Sequence, residues 1–338
     1  MSQCQTKLSW ISFQRRRIVL YASKLAGCAN MHKYLSQDEL GQQLDCYLGR
    51  NADYRSLEEV AAERAKLLTG EAQDALRALK SAAFETEKEV TDALADAKRT
   101  LVDAPLRAIE DVSRAVAGTR DLLARCPEAR KALAGEEDAA DLPEPLAREV
   151  TALKELRARV VDPQLSALLD RPEEDVDVER LRAERVVPAE AVEVLASAMF
   201  TAHGTRREDA IRETFQSSAG VRVDTCADFF VSKRPLFHVD GVPVFVGGRH
   251  DGIDATDGSI VEIKTRQRRF LGTPLYETVQ VHAYMFMHDV RNATIVESFQ
   301  GKEKVHPIEF DERLWAAVCE RTEAFLTKHL SQKYKNLS

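Results

Sequence analysis

The sequence predicts an α/β (α+β) domain interrupted by a long all-helical insertion, on three observations. First, residues 10–50 and the stretch from 190 onward mix short extended runs with helices. Between about 55 and 170 the chain is instead Ala, Leu, Glu, Arg and Lys at helical spacing, with only three glycines. Second, the segments after 190 run helix, several turn-bounded strands, helix, two strands, helix, as in a layered α/β or α+β domain. Third, charge is uneven: residues 1–54 carry +3, residues 55–200 carry −10 and residues 201–338 balance, giving −7 in total. These textures divide the chain into 1–54, 55–188 and 189–338, a length that suits two domains or one domain carrying a large insertion.

Within the first segment, "RIVLY" reads as extended and a helix follows from Ser23. The first 37 residues lack Asp and Glu, a composition shared with mitochondrial presequences. The run from Arg17 to Tyr34 also reads as folded core, which argues against cleavable targeting. In the insertion, Ser56 followed by Glu59 has the form of a capping box. Val60, Leu67, Leu68, Ala75, Leu76 and Leu79 keep to one stripe, so the pattern predicts a long helix over about 54–103. Shorter helices are then expected after Pro105 and around Pro143 and Pro145, as a coiled coil or helical hairpin. The acidic stretch 170–188 reads as a linker or exposed loop. No apolar run approaches the roughly 18 residues of a membrane span. Six cysteines without a CxxC pair look like reduced thiols of an intracellular protein, cytoplasmic or nuclear.

The densest chemistry lies in "GGRHDGIDATDGSIVEIKTR", residues 247–266. Asp257-Gly258 is the preferred dipeptide of a two-residue type I′ turn. That turn sets Asp251 opposite Lys264 and Ile253 opposite Glu262. Strand alternation then places Asp251, Glu262 and Lys264 on one face and Asp254 on the other. A single bulge would exchange the two aspartates. Carboxylates on adjacent strands suit a hard cation such as Mg²⁺, which takes oxygen ligands and keeps waters. Such an ion polarises phosphates and acidifies bound water, and a neighbouring lysine can position that water or neutralise developing charge. An ordinary cross-strand ion pair explains the same spacing, and spacing alone leaves both readings standing.

The ordered set "RHDGID…VEIK" and "QVHAY" resembles the PD-(D/E)xK nucleases, in the branch marked by a QxxxY helix. Asp251, then Glu262-Ile263-Lys264, then Gln280 and Tyr284 carry the resemblance. Gln280 and Tyr284 are four residues apart and share a helical face. "HGTRREDAIRETF" is similar to the branch's first helix, which puts its glutamate at Glu208. The Asp251-Gly252 pair, and "RRRIVLYASK" with Arg16 and Ser23, resemble the lambda-type exonucleases and YqaJ-like viral recombinases. The likeness covers about 10–50 and 195–310 and omits the insertion.

The resemblance implies a mixed central sheet flanked by helices and a Mg²⁺- or Mn²⁺-dependent deoxyribonuclease using one or two ions. It implies that Asp251, Glu262 and the Ile263 carbonyl hold metal, with Glu208 supporting the metal or its waters. Lys264 would serve the attacking water, and Gln280 would order the site. Arg16 and Ser23 would grip a 5′ phosphate, with Tyr284 and Arg249 at the DNA. In "KTRQRRF", Arg266 is the first choice for a backbone contact. No cysteine cluster follows the QxxxY helix, so no iron–sulfur cluster is expected. His203, His250, His282 and His288 lack zinc-site spacing and read as structural. The implied reaction is 5′→3′ exonuclease action on double-stranded DNA ends, as in viral or phage recombination and DNA processing. A structure-specific or nicking endonuclease could use the same residues. From another class, the chain could be an interaction scaffold with a vestigial site, since the acidic insertion suits a protein partner or self-association better than DNA.

Overall fold

A computed structural model describes residues 8, 10–14, 17–48, 50–51, 54–126, 128–135, 138–160, 162–170, 177–225 and 228–330, without the side chains of 125, 140 and 170. The chain forms two compact units, Met1–Ser56 with Ala202–Ser338, and Leu57–Thr201.

The first unit opens with β1 (Ile11–Gln14), β2 (Arg17–Tyr21), α1 (Ala22–Cys28) and α2 (Gln37–Tyr47). Ser36 caps α2 by accepting the Glu39 N–H at 3.0 Å.

The second unit holds α3 (Leu57–Ala65), α4 (Gly70–Ser81), α5 (Glu87–Lys98), α6 (Ala104–Arg125), α7 (Glu128–Ala134), α8 (Glu144–Arg159), α9 (Pro163–Asp170) and α10 (Val178–Arg185). The single helix expected over 54–103 is therefore three helices. Local chemistry makes the breaks: Gly70 opens α4 behind Thr69, and Thr86 with Glu89 forms a full capping box at the start of α5. Pro105 does not end the helical run. A π turn, Arg99–Asp103, precedes it and leads directly into α6. Widening the turn accommodates a ring that would otherwise strike the carbonyl four residues back. The apolar residues gather in separate small clusters, around Ala61 and Leu68, Ile109 and Val112, Leu122 and Val150, and Val90 and Leu195. A coiled-coil seam would instead run continuously.

Helix α11 (Ala189–Ala219) is continuous, and the division after Thr201 falls inside it. The texture change at residue 188 marks its start rather than that division. Beyond it come β3 (Val223–Asp224), β4 (Phe230–Val231), β5 (Phe237–Val239), β6 (Val242–Gly248), β7 (Gly252–Asp254), β8 (Ile260–Thr265), α12 (Leu275–His288), β9 (Asn292–Phe299), β10 (Lys302–Glu309) and α13 (Glu312–Leu330).

Among the described residues the strands form a mixed α/β arrangement with two five-stranded sheets rather than one central sheet. In the first, β2 pairs antiparallel with β1 and parallel with β6, which also pairs β4 and β5. In the second the order is β10-β9-β8-β7-β3, with β8 and β9 parallel. The division follows from the chain path: β6 ends at Gly248, the chain turns through Arg249–Asp251, and β7 starts at Gly252. Asp251 stands at that turn. The main core joins Ile18, Leu20 and Val246 to Leu25, Val281, Met285, Val318 and Leu326. A smaller core packs Ile211 and Phe215 of α11 on Val261, Ile263 and Val296. Along β8 the alternation thus sends Val261 and Ile263 toward α11, and Glu262 and Lys264 toward α12.

Candidate active site

The hairpin carrying the acidic residues departs from its expected register. Gly252 pairs with Val261 and Ile253 with Ile260, so the strand partners are offset by two residues from those a two-residue turn would give. A type I′ turn needs positive φ at both central residues, and only Gly258 has it, at 75°. The chain instead closes a wider loop, in which Asp254 N–H donates to the Ser259 carbonyl at 2.9 Å. Asp254 and Asp257 stabilise the loop by accepting N–H groups of Thr256 and Ser259, each at 2.8 Å. A shift of two preserves the face of every side chain, so Asp251 still belongs with Glu262 and Lys264.

Asp251, Glu262 and Lys264 meet around a cavity of about 380 Å³, with Glu208, Ser23, Arg249, Ile263, Gln280 and Tyr284 also in its wall. The Asp251 carboxylate (Oδ2) accepts the Ile263 N–H at 2.7 Å. In an extended strand N–H and C=O of one residue face the same edge, so the Ile263 carbonyl is directed toward Asp251 too. Lys264 Nζ donates to Glu262 Oε1 at 2.7 Å and to Gln280 Oε1 at 3.3 Å. Gln280 Nε2 donates to Glu262 Oε1 at 3.2 Å and to the Tyr284 hydroxyl at 2.8 Å. Glu262 is 3 % exposed, and its second oxygen, Oε2, is buried with no hydrogen-bond partner among the described residues.

These surroundings disfavour ionised carboxylates. Burial raises the Glu262 carboxyl to about 8, with Lys264 opposing and Asp251 and Glu208 adding to the shift. Glu208, half-buried on α11, is raised to about 7 by burial and then by the Asp251 charge, against Arg212 and Lys264. Asp251 is raised by burial, the Ile263 N–H and Lys264 working the other way. Burial works against the Lys264 ammonium, but the carboxylates of Glu262 and Asp251 outweigh it and hold the group above its usual range. Burial and the Glu262 charge push the Tyr284 phenol up.

Two carboxylates on neighbouring strands, Asp251 and Glu262, the latter with an unsatisfied buried oxygen, form a donor pair suited to a hard cation. Asp251, Glu262 and the Ile263 carbonyl are the groups that would hold it, with Glu208 elsewhere in the same cavity wall. Among the described residues no three His, Cys, Asp or Glu side chains converge at metal-ligand spacing. A Mg²⁺ site needs no such cluster, because that ion is commonly bound through one or two carboxylates and retains waters.

One expected DNA contact is placed differently. Arg266 does not face outward. It is 7 % exposed and donates through Nη1 and Nη2 to the two oxygens of Glu277 at 2.6 and 2.7 Å, and through Nε to Glu297. Its guanidinium is fully engaged inside the protein, so it is no contact for a DNA backbone. Arg16 lies outside the described residues. Ser23 and Arg249 are exposed in the cavity wall, and Tyr284 lines the same cavity as a buried side chain. His282 is structural, bridging the Thr278 carbonyl at 2.8 Å and the Asp311 N–H at 2.9 Å.

Sequence reasoning missed the partners of these groups. Arg212, one helical turn beyond Glu208, was discoverable from the i, i+4 spacing. Glu277 and Glu297, 11 and 31 residues from Arg266, gave no local signal. Tyr21 and Phe229, which complete the cavity wall, come from separate strands and loops.

No protein-family description and no curated protein matches the chain. Solved structures do. SSO0001 is 20 % identical over 42 % of this chain and 65 % of its own, just under two thirds, with a TM-score of 0.31. The alkaline exonuclease LHK-Exo from Laribacter hongkongensis is 17 % identical over 45 % of this chain and 88 % of its own, at 0.30. A phage-related exonuclease from Haemophilus somnus 129PT is 14 % identical over 41 % of this chain and 74 % of its own, at 0.31. The likeness is partial, and the functional reading rests on the site itself. Among the described residues no helix is long and apolar enough to cross a membrane.

Proposed function

We propose that the chain is a Mg²⁺- or Mn²⁺-dependent deoxyribonuclease of the PD-(D/E)xK type, acting as a 5′→3′ exonuclease on double-stranded DNA ends. The observation that carries the hydrolytic reading is the Glu262 carboxylate. One of its oxygens binds Lys264 and Gln280, and the other is buried without a donor beside Asp251 and Glu208. A purely structural ion pair would satisfy both oxygens, because an unsatisfied buried acceptor costs about 1–3 kcal/mol. Strand polarity and the preference for duplex ends rest on the sequence resemblance of the Arg16 to Ser23 stretch.

A bound divalent ion supplies positive charge at the scissile phosphate and lowers the pKa of a bound water. Within the chain, Lys264 is held as an ammonium by Glu262, which suits it to stabilise developing negative charge and orient the attacking water. Gln280 fixes Lys264 and Glu262 relative to each other, and Tyr284 fixes Gln280. Ser23 and Arg249 offer a hydroxyl and a cation to phosphates at the wall.

The test compares wild type with Lys264→Ala on linear duplex labelled at one 5′ end, with Mg²⁺ and with EDTA. Metal-dependent release of short labelled products, lost in the variant, supports the proposal. Equal cleavage of covalently closed circles would replace the exonuclease by an endonuclease. Absence of cleavage on linear, closed and branched DNA would remove the enzyme reading.

A further inference from the structure

The cavity has two chemically different walls. Glu208, Asp251, Glu262 and Lys264 make one of them ionic, while Tyr21 and Phe229 make another aromatic. Its volume of about 380 Å³ lies within the range of small-molecule sites, roughly 300–1,000 Å³, which is room for one nucleotide.

Phe229 is 46 % exposed, and unlike a loosely held surface ring it is fixed from two sides. The Tyr21 ring meets it edge-on, with centroids 5.2 Å apart and planes at 60°. Its other support is bare backbone: a Cβ on Gly247 would fall 2.7 Å from Phe229 Cε1 and 2.8 Å from Cζ, so the ring occupies the space a side chain would take. Immediately after it, Phe230 and Val231 are locked to Gly248 and Gly247 by strand pairing. The Phe229 ring is fixed in position and left open in the wall of a cavity that Lys264, Asp251 and Glu262 also line.

We infer that Phe229 is the base-stacking wall of the active site, receiving the base of the nucleotide whose phosphate faces Lys264 and the cation that Asp251 and Glu262 would hold. The inference rests on the nuclease reading for the identity of the ligand and adds the residue that holds its base. Stacking on a π face is indifferent to base identity, so the device positions any nucleotide without sequence preference.

The test uses full-length protein and a duplex bearing the fluorescent base 2-aminopurine at one of the three 5′-terminal positions. Binding is measured in Ca²⁺ and cleavage in Mg²⁺. Wild type should quench the probe at one position. Phe229→Ala should abolish that quenching and Phe229→Trp restore it. An abasic residue at the same position should raise the wild-type KM by about 5- to 150-fold, the range of one lost stacking contact, and leave the KM of Phe229→Ala unchanged. Wild type without quenching, quenching retained in Phe229→Ala, or equal abasic penalties in both proteins would each overturn the inference. Quenching that depends on Phe229 in a protein that cleaves no DNA would keep the stacking wall and remove the hydrolytic reading. Cleavage with no role for Phe229 would do the reverse.

Discussion

Asp251 accepts the backbone N–H of Ile263 at 2.7 Å, although β7 and β8 are paired only at Gly252 with Val261 and Ile253 with Ile260. The carboxylate therefore takes over the hydrogen bond that the ladder would have made had it continued. One Asp251 oxygen is committed to holding the turn between the two sheets, and the other remains for chemistry.

This division of labour makes Asp251→Asn informative. The asparagine carbonyl oxygen can still accept from Ile263, so the fold should survive. Activity should fall by on the order of 100-fold or more, since even residues that only support a metal ligand cost about 10- to 100-fold. Melting curves provide the check: Mg²⁺ should raise the wild-type midpoint through ligand linkage and leave that of the variant unmoved. A variant that is inactive yet equally stabilised by Mg²⁺ would place the ion elsewhere.

Tyr284→Phe tests the support behind the reacting groups. The change leaves Gln280 Nε2 without its 2.8 Å acceptor while preserving the ring's packing. Gln280 then loses one of the bonds that orient it toward Glu262 and Lys264. A fall in kcat of up to about tenfold with little change in KM is expected, in line with the roughly 0.5–1.5 kcal/mol of one lost hydrogen bond. A rise in KM alone would make Tyr284 a substrate contact, its role in the sequence resemblance.

What the sequence disclosed, and what it hid, follows from the range of the interactions. Alternation along Ile260–Thr265 is local, and it assigns Glu262 and Lys264 to one face whatever the turn. Asp251 stays with them because the actual register differs by two, which leaves facing unchanged. The wider loop was hidden, since Asp257-Gly258 favours a tight turn that the Asp254 and Asp257 side-chain bonds override. The division of the strands into two sheets depends on where β6 turns, which no periodicity records. The helix expected over 54–103 failed because an apolar stripe continues across breaks set by Gly70 and the Thr86 cap. Arg266 was misread for the opposite reason. A basic run looks solvated, and the acids that bury this member of it come from α12 and β9.

Arg266→Ala should consequently act on stability. It would leave Glu277 and Glu297, both buried, without their main partner. Loss of one member of a buried ion pair costs about 3–5 kcal/mol, readable as a lower urea midpoint. Arg249→Ala, by contrast, should leave that midpoint unchanged and reduce the salt dependence of DNA binding. If Arg266→Ala folds as stably as wild type and loses DNA affinity, the buried network is not what the arginine is for.

The same network predicts an acid limit. Burial alone would raise the Glu297 carboxyl, but the Leu271 N–H, Arg266 and His306 together hold it below its usual range. Its two oxygens anchor Leu271 N–H at 2.9 Å and Gly272 N–H at 3.0 Å, so its charge ties the basic loop after β8 to β9. A depressed carboxyl pKa contributes stability that is fully present above the unfolded value, about 4.3 for Glu, and is lost as pH falls through the folded value. Urea midpoints measured downward from about pH 6 to about pH 3 should therefore decline across that window. Glu297→Gln should start lower, because Arg266 is left underpaired, and should show a shallower decline. A profile equally steep in both proteins would assign the acid sensitivity to other carboxylates.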